Sequence, residues 1–195
     1  DAKTNIAKAD ILARKMALYE NTQRHELALE AAKQGLGLLG IRVPLNAGQL
    51  DVLRELLRVR WKLRGRTTRA LFENRDMEAT DQRLAMKILM NMWGPCYLLQ
   101  KQNLLAWKIL RMVNLSVDHG NSIESAIAFA FYGYVTSAQF GDYEKGYAFA
   151  QLGMELNDKF RDKTLRSKIL VIAEGCVAHW QRPFGSYLQN LREAH

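Results

Sequence analysis

The same pattern of small residues occurs twice in this sequence, and it is the feature that most restricts the possible folds. The two copies are Ala28, Ala32 and Gly35, and Gly146, Ala150 and Gly153. Positions i, i+4 and i+7 fall on one face of an α-helix, so each copy gives its helix a smooth stripe. A neighbouring helix can approach such a stripe closely, because no bulky side chain holds it away. The pattern therefore predicts closely packed helical hairpins.

Stacked helical hairpins are typical of tetratricopeptide-type solenoids. Tyr19 and Leu12 stand before Ala28 at the spacings of the tetratricopeptide pattern. Three features depart from that pattern: no tryptophan opens the unit, no proline closes it, and Met16 occupies a small-residue position. The two copies also do not lie a whole number of roughly 34-residue periods apart. We therefore expect an all-α fold, a degenerate tetratricopeptide-like right-handed superhelix of about five antiparallel hairpins.

Length and composition agree with one helical domain. The chain has 195 residues, 48% of them hydrophobic and only 3 of them proline, so helices have few obligatory stops and enough apolar surface for a core. We expect a single helical-repeat domain over residues 1–195, with an irregular insert at about 46–79. Because the chain begins at Asp1 rather than at a methionine, we interpret it as a fragment of a longer protein.

Local signals place the helix boundaries. Asn46 and Thr80 are predicted N-caps, Gly94-Pro95 should interrupt the helix that runs from Thr80 towards Leu99, and Gly120 and Gly141 should end helices. Helices are predicted at about 5–20, 25–38, 50–65, 68–74, 80–99, 103–118, from Ser122, after Asp142, at 164–180 and at 184–191.

Cysteine use and hydropathy indicate a cytoplasmic protein. Cys96 and Cys176 form no CxxC motif and no paired framework, which favours a reducing compartment. No signal peptide is visible at the N-terminus. The longest uncharged run, Ser125 to Gly141, is shorter than the roughly 20 apolar residues that span a bilayer. We therefore expect no membrane span.

A basic stretch is the candidate partner-binding site. It comprises Arg54, Arg58, Arg60, Lys62, Arg64 and Arg66. These residues surround the apolar positions Leu53, Leu57 and Trp61 of one predicted helix. Three interpretations are open: a solvated face that meets an acidic neighbouring domain, a binding site for an acidic peptide or another protein, or a site for nucleic acid or an anionic membrane. Nucleic acid is disfavoured, because Trp61 is the sole interleaved aromatic residue.

Aromatic residues supply a second candidate site. Trp93, Tyr97, Tyr132 and Tyr134 could line a small-molecule groove on the concave side of a superhelix. Periodic aromatic residues in helices also serve as core packing, and that alternative is open as well.

The sequence offers no motif for catalysis. It has no GxxxxGK[ST] loop, no kinase HRD or DFG triplet and no GxSxG elbow. The histidines, His25, His119, His179 and His195, are scattered and form no metal-ligand cluster. Cys176 with His179 has no orienting third group, so a buried core cysteine is the simpler interpretation. We expect no catalytic site, no metal site and no cofactor in this fragment.

Several phrases, taken in their order, resemble one family. They are Leu38-Leu39-Gly40-Ile41, Trp61-Lys62-Leu63-Arg64-Gly65-Arg66, Met112 with Ser116 and Gly120-Asn121-Ser122, and Ala138-Gln139-Phe140-Gly141-Asp142-Tyr143-Glu144-Lys145-Gly146-Tyr147. This order resembles the helical region that follows the ATPase module in large bacterial multidomain signalling proteins. Those proteins combine a kinase-like domain, an AAA-type ATPase, the helical region, a GAF domain and often a histidine-kinase output domain.

The resemblance implies a regulatory, protein-interaction segment whose catalysis is performed by other domains of the parent chain. Its partner would be a protein, either flanking domains in cis or a signalling partner in trans. The alternatives are a small-molecule sensor that uses the aromatic groove and a basic nucleic-acid-binding module. The sequence leaves the partner's identity and the oligomeric state open.

Overall fold

The computed structural model describes residues 2–183, and the regular structure in that range is helical. The α-helices are α1 Ala2–Asn21, α2 His25–Leu38, α3 Gln49–Leu63, α4 Thr68–Phe72, α5 Thr80–Asn91, α6 Trp93–Leu98, α7 Gln102–His119, α8 Ile123–Phe140, α9 Tyr143–Phe160 and α10 Lys163–Leu170. A π-helical segment, Val171–Val177, and a 3₁₀ turn, Ala178–Trp180, continue α10. The all-α prediction is confirmed.

Contacts divide the chain into two compact units. The first unit consists of Asp1–Lys62 and Met77–His119, and the second consists of Leu63–Asp76 and Gly120–His195. The predicted insert at 46–79 therefore contributes α3 to the first unit and α4 to the second. That the chain is one repeat domain stays a prediction.

The first unit is built on the α1/α2 hairpin. Ala28, Ala32 and Gly35 of α2 are all buried, as the small-residue pattern predicts. A Cβ atom at Gly35 would lie 3.4 Å from Leu12 Cβ of α1 and 3.3 Å from Ile88 Cδ1 of α5, so three helices meet at this glycine. Large buried side chains of α5 and α7 complete the core; they include Met86, Ile88, Leu89, Leu104 and Met112.

The second unit is centred on the α8/α9 hairpin, where the two backbones approach closely. A Cβ at Gly153 would lie 2.6 Å from Ala126 O, and one at Gly146 would lie 2.7 Å from Gly133 O. The hairpin is antiparallel, since Gly146 faces Gly133 while Gly153 faces Ala126. Beside this contact the ring of Phe149 stacks on Phe129 at 6.2 Å and meets Tyr132 edge-on at 4.8 Å.

Most of the predicted helix ends are found where the local signals place them. Gly120 and Gly141 adopt positive φ angles of 105° and 66°, which L side chains rarely adopt. The Asp142 side chain accepts a hydrogen bond from Lys145 N at the start of α9. Before α8, Ser122 N donates to Ser125 Oγ. Gly94-Pro95 does interrupt the predicted 80–99 helix, which divides at Met92 into α5 and α6.

Two predicted N-caps are wrong. Helix α3 begins at Gln49, and the Asp51 carboxylate rather than Asn46 closes its first turn by accepting from Gly48 N at 3.0 Å. Asn46 instead accepts a hydrogen bond from Lys101 Nζ. Thr80 is the first residue inside α5, and the capping position is held by Ala79, whose methyl side chain cannot form a hydrogen bond with the helix end.

At the C-terminal end, the predicted helix over 164–180 is α10 with its π-helical and 3₁₀ continuations. The predicted helix from Phe184 to Leu191 and the residue His195 lie outside the described residues. Within the described range, no helix is both long and apolar enough to span a lipid bilayer.

Candidate protein-interaction surface

Helix α3 presents four large apolar side chains to solvent. Leu50, Leu53, Leu57 and Trp61 are 70%, 46%, 56% and 76% exposed. At about 100° per residue these four positions fall within an arc of about 80° on one side of the helix. We call this set the outer seam. The sequence pattern identified these residues as the apolar stripe of the helix, but the buried face of α3 is the opposite one.

The buried face of α3 contains a carboxylate. Glu55 is 5% exposed, and its Oε2 accepts a hydrogen bond of 2.8 Å from Asn114 Nδ2 of α7. Its other carboxylate oxygen, Oε1, lies 2.8 Å from Arg58 Nη1 and 3.6 Å from Arg111 Nη1. A buried carboxylate needs such partners, because an uncompensated charge in the interior is costly. Val59 and Leu63 are the buried apolar residues on this face.

The six predicted partner-binding residues have different environments. Arg54 and Arg60 are exposed residues of α3, and at about 100° per residue they lie on opposite sides of the outer seam. Arg58 remains largely exposed while it pairs with Glu55. Lys62 Nζ pairs with Asp118 Oδ2 of α7 at 2.6 Å. Arg64 and Arg66 are exposed residues that follow the end of α3 and belong to the second unit. The structure thus places Arg54, Arg58 and Arg60 beside the outer seam.

The four residues of the predicted groove fall into both units. Trp93 and Tyr97 belong to α6 of the first unit, and Tyr132 and Tyr134 belong to α8 of the second. Tyr132 is buried against Phe149, whereas the half-exposed Tyr134 ring stacks on Trp180 at 6.4 Å. Tyr97 is exposed. Tyr132 therefore serves as core packing, which is the alternative that the sequence left open.

Trp93 covers a buried lysine. Lys108 Nζ lies 5.3 Å from the centroid of the Trp93 ring and donates hydrogen bonds to Leu89 O and Met90 O, near the end of α5, at 3.1 and 3.3 Å. A cation satisfies the last carbonyls of a helix well. Burial lowers the pKa of Lys108 to about 8 and raises the pKa of the nearby Cys96 thiol to about 11.

Both cysteines are free thiols. Cys96 is fully buried, but Cys176 is only partly buried, which corrects its interpretation as a core residue. Burial raises the pKa of Cys176 as well, so its thiolate is disfavoured. Among residues 2–183, no group of three or more His, Cys, Asp or Glu side chains is arranged to hold a metal ion.

A polar cavity of about 430 Å³ lies in the first unit. Residues 45–47 and 100–104 line it, and Lys101 Nζ donates across it to Leu45 O at 3.2 Å. None of the four predicted groove residues is among those that line this cavity.

Sequence reasoning did not find the buried polar residues that fix the orientation of α3. Asn114 and Glu55 are 59 positions apart, and no local spacing connects them. The position of Glu55 in the helix gave no sign of its burial, because a carboxylate on the face opposite the apolar residues is ordinarily solvated.

Comparisons with known proteins give one partial match. Over 87 residues the chain is 30% identical to a protein described as hybrid signal transduction histidine kinase G from Dictyostelium discoideum. The matched segment is 44% of this chain and 2% of that much longer protein. No protein-family model matches the chain, and no solved structure matches it significantly. The similarity to a signal-transduction protein agrees with a signalling role.

Proposed function

We propose that this chain is a non-catalytic protein-interaction and signal-relay scaffold within a larger signalling ATPase or kinase of bacterial type. The observation that carries the proposal is the outer seam of α3, which exposes four large apolar side chains in one row. Contiguous exposed apolar surface on a folded protein is typical of interaction sites. The partial similarity to a signal-transduction histidine kinase supports the signalling context.

The proposal includes the finer architecture, a tetratricopeptide-like right-handed superhelix of about five hairpins, and a cytoplasmic location without a cofactor. Two hairpins, α1/α2 and α8/α9, support the repeat architecture, because each packs through one copy of the small-residue pattern. In repeat proteins each unit contacts its neighbours, so a partner bound at one helix can bias the packing of the next.

The alternative functions lack a comparable observation. A small-molecule sensor is disfavoured because Trp93 and Tyr132, two of its groove residues, already pack against groups of the protein itself. A nucleic-acid module is disfavoured because Arg58 and Lys62, two residues of the basic stretch, already pair with carboxylates of the protein. The outer seam is apolar, whereas phosphate backbones are bound by clustered cationic and hydrogen-bonding groups.

Affinity capture from a bacterial lysate tests the scaffold function. Three forms of the chain are compared: the wild type, the seam variant Leu53→Ser/Leu57→Ser, and the control variant Ile11→Ser/Leu18→Ser, which changes two exposed apolar residues of α1. We expect a protein that is retained by the wild type and the control at both low and high salt and is lost from the seam variant. If the seam variant retains the same proteins as the wild type, α3 is not the interaction site and the proposal loses its support.

A further inference from the structure

We propose that the outer seam of α3 binds an acidic amphipathic helix of a partner protein, an inference that rests on the proposed scaffold function and specifies the chemistry of the partner. Leu50, Leu53, Leu57 and Trp61 would form one half of a helix-to-helix contact. Arg54 on one side of the seam and Arg60 on the other would form ion pairs with carboxylates that flank the partner's apolar row, while Arg58 keeps its pair with Glu55.

The orientation of α3 is fixed, so the seam is a stable feature of the folded unit. Glu55 is held by Asn114 and Arg58, and Lys62 is held by Asp118 at the same face of α7. Rotating α3 to bury the seam would expose the Glu55 contacts and carry the flanking arginines towards the core. Because removing partners from buried charges is strongly unfavourable, that rotation would cost free energy.

The dimensions of the seam fit a helix. Its residues are spaced by three, four and four positions, so they form a row about 16 Å long at 1.5 Å per residue. Helix-in-groove recognition uses anchors of this spacing. A helix that lies in a lipid surface buries its apolar face between the headgroups, whereas the outer seam is one narrow row, an arc of about 80°, on a helix whose opposite face is packed on the folded unit. The geometry therefore favours a partner helix over a membrane.

Charge decides between an acidic partner and a second copy of this chain. Arginines lie on both sides of the seam, and both acids of the helix already have partners: Glu55 is buried and paired, and Asp51 accepts a hydrogen bond from Gly48 N. Two copies joined through this face would bring Arg54 and Arg60 of each copy against basic residues of the other. Like charges at a contact cost free energy, whereas carboxylates on a partner helix would form flanking ion pairs.

The test uses the full 195-residue chain and two synthetic helical peptides of about 20 residues. Both peptides carry leucine at the seam spacing; one has glutamate on the flanks and the other has lysine. Fluorescence anisotropy should show that the glutamate peptide binds about tenfold or more tightly than the lysine peptide at low salt. The seam variant Leu53→Ser/Leu57→Ser should lose binding of both peptides.

The charge variant Arg54→Gln/Arg60→Gln keeps the seam and the Arg58–Glu55 pair, and it should remove most of the preference for the glutamate peptide. Vesicles of phosphatidylcholine with phosphatidylserine are tested in parallel, and circular dichroism verifies that each variant is folded.

The proposal is overturned if both peptides bind equally, if the seam variant binds as the wild type does, or if vesicles bind and the glutamate peptide does not. Seam-dependent capture of a protein from lysate, combined with failure of the glutamate peptide, would refute the acidic helix alone and leave the scaffold function standing.

Discussion

Individual buried polar residues influence the stability of this protein, and Lys108 is the clearest case. In the folded chain its ammonium group contacts two carbonyl oxygens and the face of Trp93 instead of water. The folded chain releases the Lys108 proton more readily than the unfolded chain does, since the pKa falls from 10.5 to about 8. Above about pH 8 the unfolded chain therefore binds more protons at this residue, so the free energy of unfolding rises with pH.

The measurement is denaturant unfolding of the wild type and of Lys108→Met between pH 7 and pH 9. The wild type should gain stability from pH 8 upwards, and the Lys108→Met variant should lose that gain. Above pH 9 the Cys96 thiol opposes the effect, because its pKa is raised to about 11 and the unfolded thiol ionises first. Lys87, an exposed lysine of α5, supplies the control: Lys87→Met should keep the wild-type slope. Parallel pH profiles for wild type and Lys108→Met would refute the account.

At the scale of elements, the α8/α9 contact depends on the absence of side chains. A Cβ at Gly146 would contact Ser137 Oγ and would lie 2.7 Å from Gly133 O and 3.0 Å from Ser137 N. Two of these neighbours are backbone atoms, which cannot move without shifting a whole helix. Gly146→Ala should therefore lower the free energy of unfolding by about 1–3 kcal/mol.

Gly37 provides the matched control for that change. It lies in α2, and a Cβ there would meet no atom within 4 Å. Gly37→Ala should leave stability unchanged or raise it by up to about 1 kcal/mol, because alanine is the better helix former. Urea unfolding of both variants measures the difference. Equal stabilities for Gly146→Ala and Gly37→Ala would mean that the hairpin relaxes around the added methyl group.

Elements also differ in how far the sequence predicts them. The C-terminal ends of α7 and α8 and the start of α9 follow from neighbouring residues, such as the positive φ of Gly141 and the cap by Asp142, so a local pattern suffices. The orientation of α3 depends on Asn114, a residue distant in sequence, and the apolar pattern alone points to the wrong face. Thr80 is the first residue of α5 and not its cap, because a capping residue type identifies the neighbourhood of a helix start but not its exact residue.

For the candidate site, the sequence located the basic stretch but did not separate its members. Arg54 and Arg60 are exposed beside the outer seam, and Lys62 lies further from it and pairs with Asp118. That difference arises from the packing of α3 on α7, which periodicity cannot supply. The predicted aromatic groove combined Trp93 and Tyr132, but hydrophobic periodicity does not tell a residue that packs inside a unit from one that lines a surface.

At the scale of the whole molecule, the net charge of +8 predicts weak and non-specific attraction to nucleic acid. Binding of the chain to a duplex of unrelated sequence, measured by anisotropy, should fall steeply between about 0.05 and 0.2 M salt and should not depend on base sequence. Arg58→Gln/Arg60→Gln/Arg64→Gln/Arg66→Gln should weaken it further. Tight, sequence-dependent binding that survives both the salt increase and this variant would instead support a nucleic-acid module.

The path of the chain between the two compact units has a consequence for how the protein can evolve by recombination. The chain leaves the first unit after Lys62, re-enters it at Met77 and leaves it again after His119. A contiguous gene segment that encodes the first unit therefore also encodes α4, whose residues belong to the second. Gene fusions that assemble multidomain proteins would have to move both units together, so the pair is expected to behave as one inherited module.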